Sequence, residues 1–222
     1  VDKASYSNIR RMINNGQRIP SDAVKIEEMI NYFDYNYPQP QDEHPFSINT
    51  ELVKTPWNSN TKLVRIGLQG KEYKQENLPA SNLTFLIDVS GSMGASNKLP
   101  LLKKAFKLLT NQLREKDRVS IVVYAGAAGV VLKPTKGNNK ERILKALDNL
   151  EAGGSTAGGR GIELAYKLAK KNFVKNGNNR VILATDGDFN VGVSSNKAME
   201  DLIEEKRKSG VFLSVLGFGY GN

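Results

Sequence analysis

The chain has 222 residues, 39% of them hydrophobic, enough to bury one large core with a smaller unit beside it. It contains no cysteine and a single histidine, His44, which excludes disulfides, thiolate zinc sites, cysteine nucleophiles and imidazole metal clusters. The net charge is +9, yet residues 1–82 hold ten basic and ten acidic side chains, so the whole excess lies in residues 83–222.

That excess follows helical spacing, through Lys103, Lys104 and Lys107 and again through Lys167, Lys170, Lys171 and Lys175, as solvated helix faces do. With no reading motif and no interleaved aromatics, no nucleic-acid partner is expected. No apolar run approaches the roughly 20 residues that span a bilayer, so no transmembrane segment is expected in this chain. No basic and apolar leader opens it, and any targeting segment is expected to lie outside these residues.

In chain order, Ser5–Asn15 reads as a helix stopped by Asn14-Asn15-Gly16. Ser21 or Asp22 can cap a second helix, with Ala23, Ile26, Ile30 and Phe33 on one face. The prolines Pro38, Pro40 and Pro45 predict an extended connector. Phe46–Val53 and Lys62–Gln69 alternate as strands around Pro56-Trp57-Asn58, which predicts a hairpin. Tyr32, Phe33, Tyr35, Tyr37 and Trp57 can form a ligand platform or, the blander reading, pack between two units.

From residue 83 the rhythm changes. Leu83–Ile87, Arg118–Ala125, Val130–Lys133, Arg180–Ala184 and Val211–Gly217 read as strands, the second and third separated by Gly126–Gly129. Leu99–Leu113, Glu141–Leu150, Gly158–Phe173 and Lys197–Ser209 read as helices. Nearly continuous apolar strands alternating with helices predict an α/β, Rossmann-like, mostly parallel sheet with helices on both faces. A small N-terminal helix-and-hairpin unit over residues 1–82 is expected to precede this domain over 83–222.

Asp88-Val89-Ser90-Gly91-Ser92 directly follows the first of these strands, and Asp186-Gly187 directly follows Arg180–Ala184. Both carboxylates therefore emerge at carboxyl ends of parallel strands, where open sheets of this class place their ligand sites. Gly153-Gly154-Ser155-Thr156 leads into a helix between them. Two carboxylates and three hydroxyls make an all-oxygen set, suited to a hard cation such as Mg2+ or Mn2+, with Ca2+ possible. Two adjacent carboxylates are expected to repel one another when such a site is empty.

Each residue also has a plain structural role. Ser90, Ser92 and Thr156 can cap helices, and Asp186-Gly187 can be an ordinary turn. Caps, however, do not require aspartates at the ends of two different strands. Ser90-Gly91-Ser92-Met93-Gly94 approaches a nucleophile elbow but lacks its first glycine, and the chain's one histidine precedes it in the proline-rich connector. A metal-dependent phosphoesterase is the enzyme alternative, although Ser90 stands where a second acid is usual and no base or cationic clamp is evident, and a metal-free structural scaffold is the third reading.

The pattern Asp88-x-Ser90-x-Ser92, a distant Thr156 and Thr185-Asp186-Gly187 resembles the metal ion-dependent adhesion site of von Willebrand factor type A domains. The resemblance covers residues 83–222. It implies that Ser90, Ser92 and Thr156 coordinate through their hydroxyls while Asp88 and Asp186 act directly or through water. It implies a binding module rather than an enzyme, with an open position for an Asp or Glu of a protein partner. Ala4-Ser5-Tyr6-Ser7-Asn8, Ile26–Phe33 and Thr185–Gly192 further resemble the bacterial YfbK-like group. That likeness implies a cell-envelope location, exported or lipid-anchored, with a further helix and strand expected beyond residue 222.

Overall fold

The computed structural model describes residues 3–153, 159–187 and 196–219, in two compact units, Val1–Asn77 and Leu78–Asn222. In the first unit α1 (Ala4–Asn14) stops at Gly16, which takes φ +62° as its N–H bonds back to the Ile13 carbonyl. The single helix expected after Ser21 is instead a 3-10 turn, Ser21–Ala23, and a short α2, Ile26–Ile30. Ser5 causes the break. Its hydroxyl donates to the Ala23 carbonyl at 2.6 Å and accepts from the Lys25 N–H at 3.0 Å, capturing backbone groups that a continuous helix would have used. Glu28, rather than the apolar Ile26 and Ile30, is then the buried residue of α2, receiving the Ser5 N–H at 2.9 Å.

β1 (Phe46–Thr55) and β2 (Asn58–Gly70) form the expected antiparallel hairpin, closed on Pro56-Trp57 by the Thr55–Asn58 pair. The aromatics pair with one another inside this unit. Tyr6 stacks on Tyr32 at 4.2 Å and Tyr35 on Tyr37 at 5.7 Å, while Trp57 is exposed. Gly67 in β2 lies under the Tyr37 ring, where a Cβ would come within 2.2 Å of it.

The second unit is built on a five-stranded sheet in the order β5-β4-β3-β6-β7. Its strands are β3 (Ser81–Asp88), β4 (Arg118–Ala125), β5 (Ala127–Lys136), β6 (Asn178–Thr185) and β7 (Phe212–Gly217). All pairings are parallel except β4 with β5. β5 starts earlier than the glycines Gly126–Gly129 suggested, because Gly129 pairs with Val123 in the ladder instead of lying in a loop. The helices are α3 (Leu99–Gln112), α4 (Lys140–Asp148), α5 (Gly159–Lys171) and α6 (Asn196–Arg207).

Successive residues of β3 point to opposite faces, so its apolar run feeds two cores. Phe85 and Ile87 join Leu102 and Phe106 of α3 and Ile143 and Leu147 of α4, with Phe85 stacked on Phe106 at 4.1 Å. Leu86 joins Val122 and Tyr124 of β4 and Ile162, Ala165 and Ala169 of α5. α5 sits close because Gly161 has no side chain. A Cβ there would lie 3.1 Å from Tyr124 Cβ and 3.2 Å from Leu86 Cδ1.

Asp117, before β4, anchors the amino-terminal edge of the sheet. It takes Arg114 Nε at 2.9 Å, Arg114 Nη2 at 2.8 Å and the Ser81 N–H at 2.9 Å. Burial pushes its carboxyl up, but the hydrogen bonds from Arg114 and Ser81 outweigh burial and hold it below its usual value.

Candidate metal centre

The opposite, carboxyl-terminal edge gathers the acidic residues. β3 and β6 are direct neighbours with Ile87 opposite Ala184, so Asp88 and Thr185 end their strands side by side. Asp88 is fully buried. Its Oδ1 accepts the Ser90 N–H at 2.9 Å, which turns the chain back over the strand end. Its Oδ2 accepts the Tyr124 hydroxyl at 3.2 Å and the Thr185 hydroxyl at 3.3 Å. Burial first, then the charge of Asp88 beside it, pushes the Tyr124 hydroxyl far up, so it stays a proton donor. The Asp88 carboxylate is thus held in one orientation by neutral donors from two neighbouring strands and from the loop that follows its own.

After Ser90 the chain makes a 3-10 turn, Gly91–Gly94, in which Met93 is buried in the core and its N–H bonds the Ser90 carbonyl at 3.0 Å. The turn brings Ser90 Oγ and Ser92 Oγ within 3.1 Å of each other. The Gly153 N–H bonds the Val89 carbonyl at 2.7 Å, tying the chain three residues before Thr156 to the Asp88 loop. Thr156 itself lies outside the described residues.

On β6, Thr185 Oγ1 accepts the Gly187 N–H at 3.2 Å, and Gly187 has φ +104°, a turn that disfavours any side chain. Asp186 between them has a side chain only 2% exposed. Its Oδ2 lies 2.7 Å from Lys98 Nζ. The expected carboxylate repulsion is therefore offset from within the chain, because Lys98 supplies a counter-charge to Asp186.

Asp88, Ser90, Ser92 and Asp186 accordingly lie on two loops at the ends of neighbouring strands, as their positions in sequence suggested. Among the described residues no group of three or more His, Cys, Asp or Glu side chains gathers. The donor set is one of mixed carboxylates and hydroxyls. Two residues of the site escaped sequence reasoning. Lys98 precedes the helical run Leu99–Leu113 in sequence, and nothing local ties it to residue 186. Tyr124 reads as part of an apolar strand, although it is the one hydroxyl-bearing aromatic in Val119–Ala125.

Residues 83–188 match the von Willebrand factor type A domain family, and residues 1–65 match a further von Willebrand factor family. The chain belongs to the von Willebrand factor type A domain proteins. Over its full length it is 46% identical to YfbK of Escherichia coli, of which it spans 40%. Its fold is similar to that of an aerotolerance-related membrane protein from Bacteroides fragilis, with TM-score 0.50 and 22% identity over 63% of this chain and 68% of that one. It is similar also to manganese-loaded TRAP protein of Plasmodium vivax, with TM-score 0.53 and 21% identity over 64% of this chain and 59% of that one. These likenesses agree with the predicted α/β architecture. Type A domains often mediate adhesion or protein interactions and generally act as non-enzymatic binding modules. No helix among the described residues is long and apolar enough to cross a membrane.

Proposed function

We propose that the chain is a divalent-cation-dependent protein-binding module, with Asp88, Ser90, Ser92 and Asp186, joined by Thr156, as the residues that hold the cation. The observation that carries this reading is the Ser90 Oγ–Ser92 Oγ separation of 3.1 Å beside two buried carboxylates. Adjacent oxygens around an octahedral ion bound at 2.0–2.1 Å stand about 3 Å apart, so the two hydroxyls fit neighbouring positions. The all-oxygen set favours Mg2+ or Mn2+, with Ca2+ the third choice, and the manganese-loaded relative in fold supports the same class.

A cation bound here supplies positive charge and an exchangeable coordination position at the edge of the sheet. The chain's own residues do the rest. Tyr124 and Thr185 fix the Asp88 carboxylate, the Gly91–Gly94 turn presents the two serine hydroxyls, and with one or both aspartates acting through water the neutral hydroxyl ligands would leave much of the ionic charge uncompensated. An Asp or Glu of a partner protein completes that charge and the coordination together. The basic excess of residues 83–222 adds long-range attraction to an acidic surface that fades as salt rises. A cell-envelope location belongs to the same reading, supported by the likeness to the aerotolerance-related membrane protein.

Calorimetric titration with Mg2+ and Mn2+, followed by capture of an Asp- or Glu-bearing peptide, tests the proposal. The wild type is expected to bind the cation and to take up the peptide only in its presence. A folded Ser90→Ala, Ser92→Ala double variant is expected to do neither. Peptide capture that persists in chelator overturns the reading.

A further inference from the structure

Lys98 ends the loop that follows the serine turn, and the Leu102 N–H bonds its carbonyl at 2.9 Å as α3 begins. This is an unfavourable place for a cation, because the N-terminus of a helix already carries partial positive charge. α3 has no acidic residue in its first turn to offset it. The lysine is nonetheless drawn inward. Its side chain is 23% exposed, its ammonium lies 2.7 Å from Asp186 Oδ2, and its stem passes over Gly219. A Cβ at Gly219 would lie 2.9 Å from Lys98 Cε, and Gly219 has φ +96°, so the backbone beyond β7 leaves room for that stem.

The two carboxylates of the site are treated differently. Asp88 is bonded by the neutral Ser90 N–H, Tyr124 hydroxyl and Thr185 hydroxyl, whereas Asp186 faces a full positive charge. Burying a charge as deeply as that of Asp186 is costly, and the ammonium of Lys98 offsets that cost. We propose that Lys98 is the resident counter-ion of the site, neutralising Asp186 in the cation-free protein and weakening divalent-cation binding so that the ion stays exchangeable. The assignment rests on the cation reading above and adds a competitor encoded in the chain itself. A divalent ion reaching Ser90 and Ser92 meets one net negative charge from Asp88, Asp186 and Lys98 instead of two. The long, part-exposed lysine stem lets the ammonium swing to solvent as the ion arrives.

Lys98→Met keeps the stem and removes the charge. In chelator this variant is expected to melt below wild type, and Asp186→Asn in the same background is expected to recover most of the loss. In Mn2+ titrations followed by calorimetry, Lys98→Met is expected to bind roughly ten-fold or more tightly than wild type, since the positive charge paired with Asp186 is gone. Lys98→Arg is expected to stay near wild type. Where Lys98→Met does not fold, Lys98→Gln carries the same affinity comparison. Equal Mn2+ affinity in wild type and the folded neutral variant overturns the role of Lys98 and leaves the cation reading standing. No Mn2+ binding by either protein overturns both.

Discussion

The Tyr124 hydroxyl donates to Asp88 Oδ2 at 3.2 Å, joining two fully buried side chains on neighbouring strands. The β3–β4 register sets Asp88 directly opposite Tyr124, so the bond follows from strand pairing alone. Tyr124→Phe deletes the donor and keeps the ring. Loss of one hydrogen bond to a buried charge is expected to lower stability by about 1.5–3 kcal/mol, measurable by urea denaturation. Mn2+ affinity is expected to fall as well, because Asp88 loses one of the donors that orient it. An unchanged affinity would show that Thr185 and the Ser90 N–H suffice.

A cation that binds the folded chain raises its melting temperature by mass action. Mg2+ or Mn2+ is expected to raise that of wild type in a concentration-dependent way, and to have no such effect on Asp186→Ala. Differential scanning fluorimetry across a metal titration checks this. An equal rise in both proteins removes Asp186 from the ligand set.

Asp117 predicts an acid sensitivity far from the candidate site. Its folded-state value is held below the usual carboxylate value near 3.9, so its contribution to stability is fully present above about pH 4. That contribution is lost as pH falls through the lowered folded-state value. Asp117→Ala leaves Arg114 without this partner and frees the Ser81 N–H, and is expected to cost about 3 kcal/mol at pH 7. The difference from wild type should shrink below pH 4, which urea midpoints across pH will show.

Gly161 tests the packing that supports Tyr124. Gly161→Val places a branched side chain against Tyr124 Cβ and Leu86 Cδ1, and overpacking of this kind is expected to cost about 1–3 kcal/mol. Because the clash falls on Tyr124, Mn2+ affinity is expected to drop with stability. A loss of stability with affinity intact would separate the α5 interface from the site.

Much of this was legible along the chain. Strands buried on both faces read as nearly continuous apolar runs, so Leu83–Ile87 and Arg180–Ala184 announce a covered parallel sheet, and the aspartates that follow them mark the candidate site at its carboxyl-terminal edge. Ser90 and Ser92 lie within four residues of Asp88, so a short turn gathers them without help from the rest of the fold. The hairpin was equally local, since Pro56-Trp57 closes two alternating runs.

Tertiary structure decided the pairings made at long range. Ser5 breaks the second helix through partners 18 and 20 residues away. Tyr124 meets Asp88 across 36 residues, and Lys98 meets Asp186 across 88. Local periodicity encodes which face of an element is apolar, and therefore the layers of the fold. It does not encode register, and only register and helix placement bring a lysine at the start of α3 and a carboxylate at the end of β6 to one point. There the cost of burying the Asp186 charge, rather than any local preference, holds Lys98 in place.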